Sequence, residues 1–138
     1  MDKQANSGYT MVSALIILIS LSLFSMFSVN NFQDSYERYA LRISMDLCKE
    51  LILKVKYESF LTKEERDICF YEEYVSIGEE KWEYVKGIRS RDDVCFHYSK
   101  EGNVSKTGSV VLEGSKYSQK MSIQIGGGYY EIWDSEDS

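Results

Sequence analysis

The chain has 138 residues and a net charge of −6, which leaves room for one domain of about 100 residues beyond its apolar N-terminal segment, a size able to bury a core. Almost all of the charge lies after residue 33, because Asp2 and Lys3 are the only charged side chains before Asp34. This balance excludes the uniformly basic surface that neutralises phosphates and argues against direct nucleic-acid binding.

A short hydrophilic leader ends in Gly8, and Gly8-Tyr9-Thr10-Met11-Val12 opens into a run from Ala14 to Val29 with no charge, glycine or proline. A predominantly apolar helix of roughly 20 residues spans a bilayer of about 30 Å, and Met11 to Val29 is long enough to do so. The competing reading is a cleaved secretory signal, whose apolar core is shorter and ends in a small-x-small site. Ser20-Leu21-Ser22 is the one candidate inside the run, and it sits mid-run with Leu23-Phe24 following. Lys3 and the initiating amine precede the apolar segment, which favours a cytoplasmic leader and an exported remainder.

The glycine-aromatic-threonine-apolar order, feeding a membrane-length run, resembles the precursor segment of type IV pilins and pseudopilins. The resemblance implies cleavage between Gly8 and Tyr9 by a membrane aspartyl peptidase, N-methylation of Tyr9 and retention of the apolar segment in the mature protein. It implies a pilin-like fold, a single pass through the cell membrane with the C-terminal domain outside the cytoplasm, and exposure at the cell surface after assembly. Implied partners are other pseudopilins, major and minor, the prepilin peptidase and a polytopic membrane assembly protein. Thr10 and Ser13 fall at assembly positions. At the fifth mature position most pilins carry a glutamate that pairs with a neighbouring subunit's terminal amine, and here it is Ser13. Relatives without that glutamate include subunits at the filament tip, so a tip position and low copy number are expected.

Residues 34–63 read as more helix. Neither glycine nor proline occurs between Tyr9 and Ile77, and Leu41, Met45, Cys48, Ile52 and Val55 recur at spacings of four and three on one face. Lys49, Glu50, Lys54 and Lys56 lie largely off it. A helix of about 50 residues would extend ~75 Å at about 1.5 Å per residue. A bend near Asn30-Asn31, joining an anchor to a separate amphipathic helix, stays open. The expected divisions are 1–8 leader, 9–33 membrane and assembly half of the helix, 34–63 amphipathic half, and 64–138 an antiparallel β-sheet domain, an α+β class.

Beyond Lys63 the period shortens to that of strands. Ile68, Phe70 and Tyr74-Val75 open the region; Trp82 and Tyr84 alternate with Glu83 and Val85, and Val94, Phe96 and Tyr98 with Cys95 and His97. Glycines 78, 87, 102 and 114 punctuate these runs at turn-like intervals. Ser109–Leu112 and Met121–Ile125 come next, and Gly126-Gly127-Gly128 is expected to turn a closing hairpin into Tyr129–Trp133. The order Phe96, Gly102, Gly108-Ser109-Val110-Val111-Leu112, Ile123-Gln124-Ile125, Gly127-Gly128 resembles the C-terminal half of minor pseudopilins of the competence D type and the related secretion H type. Many of those place an arginine where this chain has Tyr129. Three cysteines and an eight-residue leader are more similar to a Gram-positive competence apparatus than to a Gram-negative secretion system.

Catalytic chemistry has little support. His97 is the one histidine and reads as a surface or edge residue, so no zinc set can form; close cysteine pairs are absent. A phosphate cradle at the triple glycine would need a following helix, and strand residues stand there instead. Glu72-Glu73, Glu79-Glu80 and Asp92-Asp93, if in strands, point to opposite faces. Asp134-Ser135-Glu136-Asp137 reads as a frayed terminus rather than a calcium loop. No enzymatic activity, cofactor or metal is expected. The many tyrosines and two tryptophans suit sheet core and subunit contacts, because Lys116 and Lys120 beside Tyr117 are too few for a single-strand stacking groove. Cys69 and Cys95 share similar contexts and, in an oxidising compartment, are candidates for a disulfide, with Cys48 a buried thiol on the helix stripe. Three free thiols, or Cys48 bonded to either strand cysteine, remain alternatives. Two function classes result: a minor pseudopilin of an envelope-spanning filament for DNA uptake in transformation or for type II secretion, and a membrane-anchored extracytoplasmic binding domain that never polymerises.

Overall fold

The structure, a computed structural model, describes residues 5–125 and 130–136 in backbone, and the side chains of 8–29 and 32–125. The chain is α+β: a long N-terminal helix, α1 (Ala5–Thr62), precedes eight antiparallel strands, and contacts divide it into two units, Met1–Ser35 and Tyr36–Ser138. Helical backbone continues through Asn30 and Asn31.

In the first unit the helix is apolar all round. Met11, Ile16, Leu18, Phe24 and Phe27 are each more than half exposed, and so are the other large side chains up to Val29. A helix with no polar face is stable only inside an apolar medium or core. Its serines do not contradict this: the hydroxyls of Ser20, Ser22 and Ser25 donate to the carbonyls of Ile16, Ile19 and Leu21 at 2.8, 2.8 and 3.0 Å, so the helix satisfies them itself.

In the second unit α1 buries one stripe. Leu41, Met45, Cys48, Ile52 and Val55 are all buried, joined by Ala40, Ser44, Leu51 and Ser59 at the same helical period. The helix stops where Thr62 donates its hydroxyl to the Glu58 carbonyl and Lys63 turns left-handed at φ 55°.

The sheet region differs from the single sheet expected: it forms two four-stranded sheets. The first has the order β3 (Glu80–Glu83), β2 (Tyr74–Ile77), β1 (Arg66–Phe70), β5 (Val94–Tyr98). The second has β4 (Arg89–Ser90), β6 (Gly108–Glu113), β7 (Tyr117–Ile123), β8 (Tyr130–Glu136). The split arises because the short β4 leaves the first sheet to pair Ser90 with Leu112, and β5 returns to lie against β1. Alternation marks a strand but not its partner. Ile68, Phe70, Val75, Ile77, Phe96 and Tyr98 from one sheet and Val110, Leu112, Met121 and Ile123 from the other form one core with the helix stripe.

Three local expectations change. Glu72-Glu73, Glu79 and Asp92 lie in bends and turns and Asp93 in the link to β5, none of them in a strand, so the opposite-face argument does not apply to them. β7 begins at Tyr117, four residues before Met121, because it pairs with β6 back to the turn at Ser118↔Glu113. Asp134, Ser135 and Glu136 are paired in β8 opposite Gln119, Ser118 and Tyr117 rather than frayed. The triple-glycine turn, Tyr129 and Asp137 lie outside the described residues. The loop after β5 approaches the helix so closely that only glycine fits: Gly102 has φ 75°, and a Cβ there would lie 2.9 Å from the Lys56 carbonyl oxygen.

Candidate functional site

The N-terminal segment carries the residues that sequence reasoning singled out. Gly8, Tyr9, Thr10 and Ser13 all sit on α1. Gly8 is exposed, and a Cβ built there would meet nothing beyond its own stretch of helix within 4 Å. Tyr9 is 79 % exposed, and Ser13 is half-buried among its helical neighbours. α1 is long and apolar enough to cross a membrane.

A second feature lies on β1 and β5. Cys69 and Cys95 stand directly opposite in the ladder and are joined by a disulfide, with Cα atoms 4.1 Å apart. Cys48 is separate: it is buried in the helix stripe, and burial pushes its thiol up to about 12, leaving it protonated and inert toward exchange at neutral pH. Two residues along the same face, His97 pairs with Asp67, Nδ1 to Oδ1 at 2.7 Å, with Glu65 3.7 Å from Nε2. Alternation had placed His97 on a strand; its partner Asp67 comes from β1, 30 residues away, with Glu65 just before that strand, and neither left a local signal. The pair bridges the edge strand β5 and its neighbour β1 on an exposed face.

The disulfide closes a loop across 26 residues of sequence and ties the edge strand β5 to β1. Loop-closure entropy for a ring of that size predicts that replacing both cysteines by serine lowers unfolding stability by about 3 kcal/mol. Denaturant unfolding of the detergent-solubilised chain measures it. Dithiothreitol should shift wild type by the same amount and leave the double-serine variant unmoved.

A cluster of opposite charges lies at β4 and β6. Arg89 and Arg91 both grip Glu113, at 3.0 and 2.9 Å, and the Arg91 bond leads the causes that hold the Glu113 carboxyl below its ordinary range. Glu72, Asp92 and Asp93 complete a shallow depression there. Among the described residues no group of three or more His, Cys, Asp or Glu is arranged to hold a metal ion. Of the rings beyond Lys63 whose side chains are described, Tyr84 and Tyr98 are core, Trp82 and Tyr117 pack against it, and Tyr71 and Tyr74 lie with centroids 5.0 Å apart. Sequence reasoning missed one anchor: Glu37, whose carboxylate accepts bonds from the β6–β7 turn.

No family model, curated protein or solved structure matches this chain. Its own geometry therefore carries the functional reading. That geometry offers an exposed glycine-aromatic junction on a helix that is apolar all round through Val29, and a sheet-bearing unit that follows it in sequence.

Proposed function

We propose that this chain is a minor pseudopilin, a non-enzymatic structural subunit of an envelope-spanning filament that serves DNA uptake in transformation. The observation that carries the reading is Gly8-Tyr9, exposed and leading directly into a helical segment whose large apolar side chains, through Val29, are all exposed. A peptidase must take an extended backbone into a narrow cleft, and glycine is the residue that obstructs it least. After cleavage the same apolar helix would first hold the subunit in the cell membrane and then bury itself among the helices of sister subunits. The pilin-like arrangement is supported by a helix whose later half packs on antiparallel strands. The acidic balance of the chain supports a division of labour in which DNA contact belongs to other components of the machine.

Gly8→Val tests this reading. Because a Cβ at position 8 meets nothing beyond its own stretch of helix, the substitution clashes with no other part of the chain, and its effect reports on recognition. Co-expressed with a prepilin peptidase, wild type should shift to a faster-migrating form with Tyr9 as its N-terminal residue, and Gly8→Val should stay full-length. Equal migration of wild type with and without peptidase would overturn the assignment in favour of a membrane-anchored domain that never polymerises.

A further inference from the structure

The turn between β6 and β7 is shaped to hold one anion, and the helix supplies it. Gly114 N–H donates to the Tyr117 carbonyl at 2.9 Å and closes the turn. Within it the backbone N–H groups of Lys116 and Tyr117 converge on Glu37 Oε1 at 2.6 and 2.9 Å, and the Ser115 hydroxyl donates to Oε2. Successive N–H groups aimed at one oxygen form the backbone concavity that binds anions elsewhere. Residue 114 must lack a side chain for this to happen, since a Cβ there would lie 2.7 Å from the Glu37 carboxyl carbon. The next helical residue also grips the hairpin, with the Arg38 guanidinium 4.2 Å above the Tyr117 ring. Ala40 and Leu41, the first buried residues of the stripe, lie just beyond.

We propose that Glu37 and the β6–β7 turn form an acid-releasable latch that closes the sheet-bearing unit onto the start of its own helical segment. The charged carboxylate is what the turn recognises, because hydrogen bonds to an ionised acceptor are about twice as strong as those to a neutral one. Charged neighbours come from both sides. On α1, Asp34 lies one turn earlier and Arg38 directly after; on the hairpin, Glu113 and Lys116 flank the turn, and Glu113 is held by Arg89 and Arg91. Burial would raise the Glu37 carboxyl, but the bonds from Ser115, Lys116 and Tyr117 outweigh it and hold the group below its ordinary value of 4.5. A depressed carboxyl stabilises the fold above that ordinary value, and the contribution is lost as pH falls from there through the folded pKa. The latch is therefore shut at neutral pH and opens in acid, while the core behind Leu41 stays packed.

Amide hydrogen exchange on the full-length chain in detergent micelles, from about pH 7 to 3 and corrected for intrinsic rates, tests the latch. The Lys116 and Tyr117 amides of wild type should lose protection on the order of tenfold in the acid range while the β1–β5 ladder amides hold. Glu37→Gln should show the lowered protection already at neutral pH and no acid step. Ser115→Ala, a milder change, should keep the step and move it to higher pH, because one donor to the charged form is gone. Glu37→Gln retaining both protection and step, an unmoved midpoint in Ser115→Ala, or a step shared equally by the ladder amides would each overturn the proposal.

Discussion

Phe96→Ala is expected to lower the unfolding free energy by about 3–5 kcal/mol, the range for deleting a fully buried phenylalanine. Phe96 has no exposed surface and meets Phe70 edge to face, with ring centroids 6.0 Å apart and planes at 79°. Its other side lies on Gly108 at the start of β6, so the ring is the wedge between the two sheets. A Cβ at Gly108 would sit 2.7 Å from Phe96 Cε1 and 3.0 Å from Cζ, and the ring is held too tightly to retreat. Gly108→Ala should then cost about 1–3 kcal/mol through overpacking. Combining Gly108→Ala with Phe96→Leu, which vacates that space, should be milder than the sum of the two single changes. Denaturant unfolding of the solubilised chain measures all of these variants. Strict additivity would show that the ring and the glycine are not in energetic contact.

The parts of this fold that were legible in the sequence are those encoded by short periods. Leu41, Met45, Cys48, Ile52 and Val55 announce a buried helix face because residues three and four apart share a side, and they are buried in the structure. Val94, Phe96 and Tyr98 announce a strand by a period of two. No period encodes the partner. Nothing near Ser90 marks it as belonging with Leu112 rather than with the first sheet, so the division into two sheets was invisible. Glu37 shows the same limit more sharply: its donors lie 78 to 80 residues away, and on the helix it reads as one more solvated carboxylate. The Gly8-Tyr9 proposal is of the opposite kind, since it rests on consecutive residues and needs no tertiary partner.

Ser13→Glu is expected to reduce membrane integration without increasing filament yield. Ser13 lies on the apolar helix among side chains that have no charge to offer it, and an unpartnered carboxylate in such a segment costs about 2–3 kcal/mol by insertion scales. Serine carries no such penalty: Ser20, Ser22 and Ser25 show how a hydroxyl in this segment is satisfied by a carbonyl of its own helix. In the pseudopilin reading, a glutamate at this position is offset by the terminal amine of the subunit assembled before it. On the same reading, a subunit at the tip would have no predecessor, so the amine would be missing and serine would be the less costly residue, while a processed Tyr9 amine would stay free to receive the glutamate of the next subunit. The measurements are the membrane-integrated fraction after alkaline extraction and the yield of sheared filaments with the major subunit co-expressed. A rise in filament yield on Ser13→Glu, or labelled copies along whole filaments in amounts matching the major subunit, would show that the chain pairs with predecessors like any other subunit and that Ser13 is a tolerated variant.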